Sequence, residues 1–318
     1  MHCIPIEGIK YTGTASLKAA VELYFKFVDR DDSPGCSLEP GPNVGKNVWP
    51  VEKPAPSSAW PKWDRASEDE VLALARVIAR YVRFLAPEII DAVVNDGEQQ
   101  RERWADALRQ RGIAADAYLW ERSPCAFPGV RRYAGSQEIA VFRKKAKAEG
   151  NSIKDALCLD DNDYPKQIWS FTFTGKKFPK HGPVGYSLAH LADHKSHGNR
   201  FESDFEVVGD AGARKLFGLY TCLTNTAYVP SSMIKPTDFG PNMRNLLMRR
   251  AEHLYAAHCR LLPDWLKVRA ASSVDWHLDA FEWAKPVGDA TGIKAFLAYR
   301  NAEIERLIAA RPSTGGSV

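Results

Sequence analysis

With 318 residues, 45% apolar and 26% charged, the chain can bury a core of one or two domains, which excludes both a disordered and a membrane-embedded class. A net charge of +4 permits contact with nucleic acid without demanding it. The six cysteines are scattered and never form a Cys-x-x-Cys pair, so neither a disulfide framework nor a zinc knuckle is expected, only buried reduced thiols. Met1 to Pro5 lacks a basic segment followed by an apolar one, and the apolar run Val71 to Leu85 is broken by Arg76, Arg80 and Arg83. The expected setting is the reducing cytoplasm, away from any membrane.

In chain order, Leu17, Val21, Tyr24, Phe25 and Val28 recur at helical spacing. Residues 29–62 are rich in Pro, Gly, Ser and Trp and read as a wrapping arm. Ser67-x-x-Glu70 is a capping box that opens a helix whose apolar face runs Val71, Leu74, Ile78, Val82 and Leu85. Pro87 to Gly97 and Glu98 to Gln110, closed by Gly112, give two more helices, and Ser136 to Ala148 a fourth with a basic end. Residues 1–150 are therefore expected to form an all-α domain.

The texture changes after Gly150. Ile168 to Thr174 is β-branched and aromatic and reads as a strand; Gly185 to Leu191 and Phe217 to Cys222 read as two more. Pro241 to His258 reads as a helix, as do Ser273 to Ala284 and Thr291 to Ala310. The expected fold class is α+β: a helical N-terminal domain over 1–150, a mixed core over 151–262, helices over 263–311 and a disordered tail over 312–318.

Between these strands lies the polar loop of Asp193, His194, Lys195, His197, Asn199 and Arg200. Histidine titrates near neutrality and can take a proton from water, while magnesium and manganese prefer oxygen ligands. Adjacent residues of an extended chain point oppositely, so an Asp-His pair can set a metal ligand and a base on either side of one phosphate. Tyr186-Ser187-Leu188-Ala189-His190-Leu191-Ala192-Asp193-His194-Lys195, followed by Gly218-Leu219-Tyr220-Thr221-Cys222-Leu223-Thr224-Asn225-Thr226-Ala227-Tyr228-Val229-Pro230, resembles the HNH (ββα-metal) nuclease family.

That resemblance covers 160–258. It implies a metal-dependent endonuclease in which Asp193 binds Mg2+ or Mn2+ and His194 is the general base. The Asn of the pattern, Asn225, either braces the site or is the second metal ligand, and the ligand role is the preferred one. Ser231 to Lys235 lacks the usual third His or Asn, so Asp238 or Asn242 is the other candidate for the second ligand. A second phasing, on Ala189-His190-Leu191, makes His190 the base. The implied partner is duplex DNA, with Lys176, Lys177, Lys195 and Arg200 at phosphates; a palindromic target would call for a homodimer. Restriction or defence work fits by analogy.

Bland readings stand beside these. An Asp-His dipeptide can be a surface loop, and His190 a half-buried strand residue bonded to backbone. Asp160 to Asp163 reads as a turn, because it lacks the spacing of a calcium loop. The alternative function is a non-catalytic nucleic-acid-binding or interaction module with a degenerate site.

Overall fold

The computed structural model describes residues 66–133, 138–139, 153–177, 185–192, 205–209, 214–231, 241–269, 276–288 and 292–311. The chain divides into two units, 1–63 and 64–318, and all the described residues belong to the second. The arm at 29–62, the helical spacing at 17–28, most of the basic helix at 136–148 and the tail at 312–318 lie outside them.

Five helices and six short strands give a mixed α+β fold among these residues: α1 (Glu68–Tyr81), α2 (Pro87–Arg109), β1 (Val130–Arg132), β2 (Cys158–Asp160), α3 (Asp163–Thr174), β3 (Tyr186–His190), β4 (Phe205–Val207), β5 (Thr226–Pro230), α4 (Pro241–Tyr255), β6 (Leu266–Val268) and α5 (Ile293–Ala310). The capping box is formed as the sequence dictates: Glu70 N–H donates to Ser67 Oγ at 3.3 Å and Ser67 N–H to Glu70 Oε2 at 2.7 Å. These bonds, the backbone one foremost, hold the Glu70 carboxyl below its ordinary range. A lowered folded-state value stabilises above the unfolded value and is lost as pH falls through the folded one. Glu70→Gln keeps the box and removes the charge, so its unfolding midpoint is expected to fall less steeply than wild type between neutral pH and acid.

Helix α1 is shorter than its apolar pattern. Val82 to Ala86 runs extended because Arg83 exchanges backbone hydrogen bonds with Tyr228 (2.8 and 3.0 Å), and Ala86 precedes a proline. The two helices expected over 87–110 are one, passing straight through Gly97. The small residue has a use there, since a Cβ at Gly97 would meet Arg300 Nη2 at 3.4 Å. Arg300 is fully buried, 4.9 Å above the Trp104 ring and 3.4 Å from Asp96. Burial draws its guanidinium down to about 10.

Three strand or helix expectations are corrected. Ile168 to Thr174 belongs to helix α3, whose buried Pro165, Ile168, Trp169 and Thr172 follow helical spacing. Its start is set by Asp160, which accepts from Asp163 N–H (3.1 Å) and Tyr164 N–H (2.9 Å). Phe217 to Cys222 is a 3-10 turn over Gly218–Thr221, and the second strand of the hairpin is β5, on the far side of Asn225. Leu278–Ala280, within the expected helix at 273–284, is only a short turn. The segment before Gly150 is not purely helical either, because β1 pairs in parallel with β2.

Strands β3 and β5 pair antiparallel, from Tyr186 opposite Pro230 to His190 opposite Thr226; β4 and β6 form a second antiparallel ribbon. One continuous apolar core runs from Ala75 to Leu307 and includes Trp169 and Tyr228, whose rings meet edge to face at 4.5 Å. No helix among the described residues is long and apolar enough to cross a membrane.

Candidate functional site

The end of β3 is held by one side chain. Asn225 is buried, its Oδ1 accepts from Ala192 N–H at 2.8 Å, and its Nδ2 donates to the carbonyls of Ala192 (3.4 Å) and Leu219 (3.3 Å). Its own carbonyl accepts from Leu191 N–H at 2.9 Å. The carboxamide thus clasps the backbone of the residue immediately before Asp193, whereas the sequence reading favours Asn225 as the second metal ligand.

The Leu219 carbonyl comes from the turn Gly218–Thr221, and that turn is fixed from three directions. A Cβ on Gly218 would lie 2.8 Å from Tyr118 Cα. Tyr220 O–H donates to Asp160 Oδ2 at 3.0 Å and accepts from Asn162 N–H. Burial pushes the Asp160 carboxyl up, against the pull of its amide donors, and raises the Tyr220 phenol well above its ordinary value.

His190 belongs to this buttress. Its ring stacks on Tyr220 (5.5 Å between centroids, 14° between planes), and Nε2 lies 3.3 Å from the Tyr220 carbonyl oxygen. A carbonyl only accepts, so Nε2 carries a hydrogen. This matches the half-buried, backbone-bonded reading of His190.

A groove of about 760 Å³ opens between the hairpin end and α4. Leu191, Ala192, Leu219, Thr224 and Asn225 form one side, and Asn245, Arg249 and Glu252 of α4 line it at helical spacing. The ribbon β4–β6 adds Phe205, Lys267 and Val268, with Arg269 following β6 and Arg260 and Asp264 nearby. Among the described residues, four cations and two carboxylates therefore face the space, with Arg260 tied to Asp264 at 2.8 Å and Lys267 to Glu206 at 3.5 Å. His190 is not among its described lining.

Of the residues singled out from sequence, Asp193, His194, Lys195, Arg200 and Asp238 lie outside the described residues. Lys176 and Lys177 sit beyond the C-terminal end of α3, with Lys177 Nζ 5.3 Å from the Tyr299 ring of α5, and neither is among the described lining of the groove. Asn245, Glu252 and Thr224 line the groove without being site residues of the motif. The spacing of Asn245, Arg249 and Glu252 along one helix face was the available signal. No three His, Cys, Asp or Glu side chains converge as a metal cluster among the described residues. Cys125, Cys158, Cys222 and Cys259 are free thiols, and burial raises all four, Cys125 and Cys158 to about 11 and Cys259 to about 12. Such thiols are poor nucleophiles.

No family model, curated protein or solved structure matches the chain.

Proposed function

We propose that the protein is a metal-dependent nuclease that hydrolyses nucleic-acid phosphodiesters, with DNA as the substrate. The observation that carries this reading is the clasp of Asn225 on Ala192, which fixes the backbone from which the Asp193-His194 pair departs. The chain order of β3, the Asp193-His194 pair, Asn225, β5 and α4 supports it, as does the excess of cations among the described residues that line the groove beside Asn225.

His194 takes the proton of the attacking water, and Asp193 would hold the metal through a carboxylate oxygen. Asn225 Oδ1 is already engaged by a backbone amide, so we assign Asn225 to bracing. The oxygen donors of Asn245 and Glu252, which line the groove from α4, suit a hard cation and are the candidates to complete its shell, in addition to Asp238 and Asn242. A magnesium or manganese ion held there would neutralise charge on the phosphate and the leaving oxygen. His190 is left out of the reaction, because its ring is turned to Tyr220.

The test is nicking of supercoiled plasmid with manganese or magnesium. His194→Ala and Asp193→Ala are each expected to slow nicking by about a hundredfold. Nicking that survives in both would sink the assignment. A second reading, a nucleic-acid binder without catalysis, is favoured by the engagement of Asn225 with backbone, which removes one metal ligand. It predicts salt-sensitive DNA binding in EDTA and no nicking at any metal concentration.

A further inference from the structure

Within the short stretch from Thr221 to Thr226, the polar side chains are tied down one after another. Thr221 Oγ1 donates to the Phe127 carbonyl at 3.3 Å, Asn225 clasps Ala192, and Thr226 Oγ1 donates to the Leu223 carbonyl at 3.1 Å. Thr224 differs. It is 4% exposed, it lines the groove, and its hydroxyl makes no hydrogen bond among the described residues. A side chain that is otherwise buried, lines a groove and has its hydroxyl unengaged by the described residues can give its hydrogen bond to a ligand held in that groove.

The charge of the groove indicates which chemistry. Thr224 belongs to the turn Leu223–Asn225, which packs against α4, and α4 lines the same groove with Arg249. That arginine is anchored, with Nη1 donating to the Trp276 carbonyl at 3.1 Å. Lys267 and Arg269 stand on the ribbon side. We infer that Thr224 and Arg249 form a seat for a non-bridging phosphodiester oxygen, holding the nucleic-acid backbone beside the bond that is cut. The seat rests on the nuclease reading for its place in a reaction, but not for its binding, which needs no metal.

The experiment therefore separates binding from cleavage. Affinity for a short fluorescein-labelled DNA duplex is measured in EDTA by anisotropy, over a range of salt, for wild type, Thr224→Val, Thr224→Ser and Arg249→Gln, with thermal melts to show that each is folded. Thr224→Val keeps the shape and removes the hydroxyl, and should bind about tenfold more weakly. Thr224→Ser should recover most of that loss. Arg249→Gln should reduce the slope of log affinity against log salt by about one. Wild-type affinity in Thr224→Val, equal weakness in Thr224→Ser, or no measurable binding by wild type overturns the seat. Plasmid nicking is scored separately. Nicking by wild type with unchanged binding in Thr224→Val removes the seat and leaves the nuclease. A binding loss in Thr224→Val with no nicking by wild type removes the nuclease and leaves the seat.

Discussion

Asn225→Ala is expected to lower the unfolding free energy by about 3 kcal/mol, measured by urea denaturation, and to abolish any nicking along with it. Three groups lose their partner at once, the amide and carbonyl of Ala192 and the carbonyl of Leu219, and with them the turn loses its link to the end of β3. All are buried, so water cannot replace the bonds without entering the core. Asn225→Asp separates brace from bulk. A carboxylate still accepts from Ala192 N–H, but it meets two carbonyl oxygens where the amide donated. It should therefore be nearly as destabilised at neutral pH and recover in acid, where the protonated form can donate. A fully stable Asn225→Ala would mean that the end of β3 is held by something other than this side chain.

Gly292→Ala should cost a similar amount, about 3 kcal/mol. Gly292 caps α5 with φ −77° and ψ −15°, a conformation that any residue adopts, so backbone strain is not the reason. The reason is proximity to α3. An added Cβ would overlap the Phe171 carbonyl oxygen and lie 3.1 Å from its carbon and 3.3 Å from Thr172 Cα. These are backbone atoms that cannot rotate aside, so one helix must move away from the other. The Phe171 ring stacks on Tyr299 at 5.1 Å, and that contact would loosen. Near-ultraviolet circular dichroism together with urea midpoints reads both effects; an unchanged midpoint would show that the two helices can separate freely.

The parts of the fold that sequence revealed are those whose signal is local. The capping box at Ser67 announced α1, Gly112 closed α2 with Ile113 N–H on the Leu108 carbonyl, and the apolar spacing of Ile293, Phe296, Ile304 and Leu307 gave α5. Helix α3 was hidden because its aromatic and β-branched stretch, read over seven residues, carries strand propensity. Its burial against α5 and Tyr228 overrides that propensity. Phe217–Cys222 carries strand propensity for the same reason, whereas the segment curls into a turn around Gly218, where Tyr118 leaves no room for a side chain. At the site, Asn225 was legible from its place in a motif, but its engagement with Ala192 was not, since hydrogen bonding to a backbone thirty-three residues away leaves no trace in spacing. Thr224 gave no signal, because a threonine in a run of threonines looks the same whether its hydroxyl is bonded or not.

The burial of Arg300 has a consequence for how the chain is made. Its guanidinium lies on Trp104 and donates to the Val93 carbonyl at 3.0 Å, so α2 receives its central partner from a residue some two hundred positions later. A ribosome releases on the order of ten residues each second, which leaves α2 waiting for tens of seconds. During that interval Ile89, Ile90, Val93 and Trp104 have only part of their final surroundings. Holding factors that bind exposed apolar helices would find α2 first, and release would follow emergence of α5. Ribosome-stalled chains ending before 293 should therefore be cut within α2 by a protease that spares the full-length chain after its release from the ribosome.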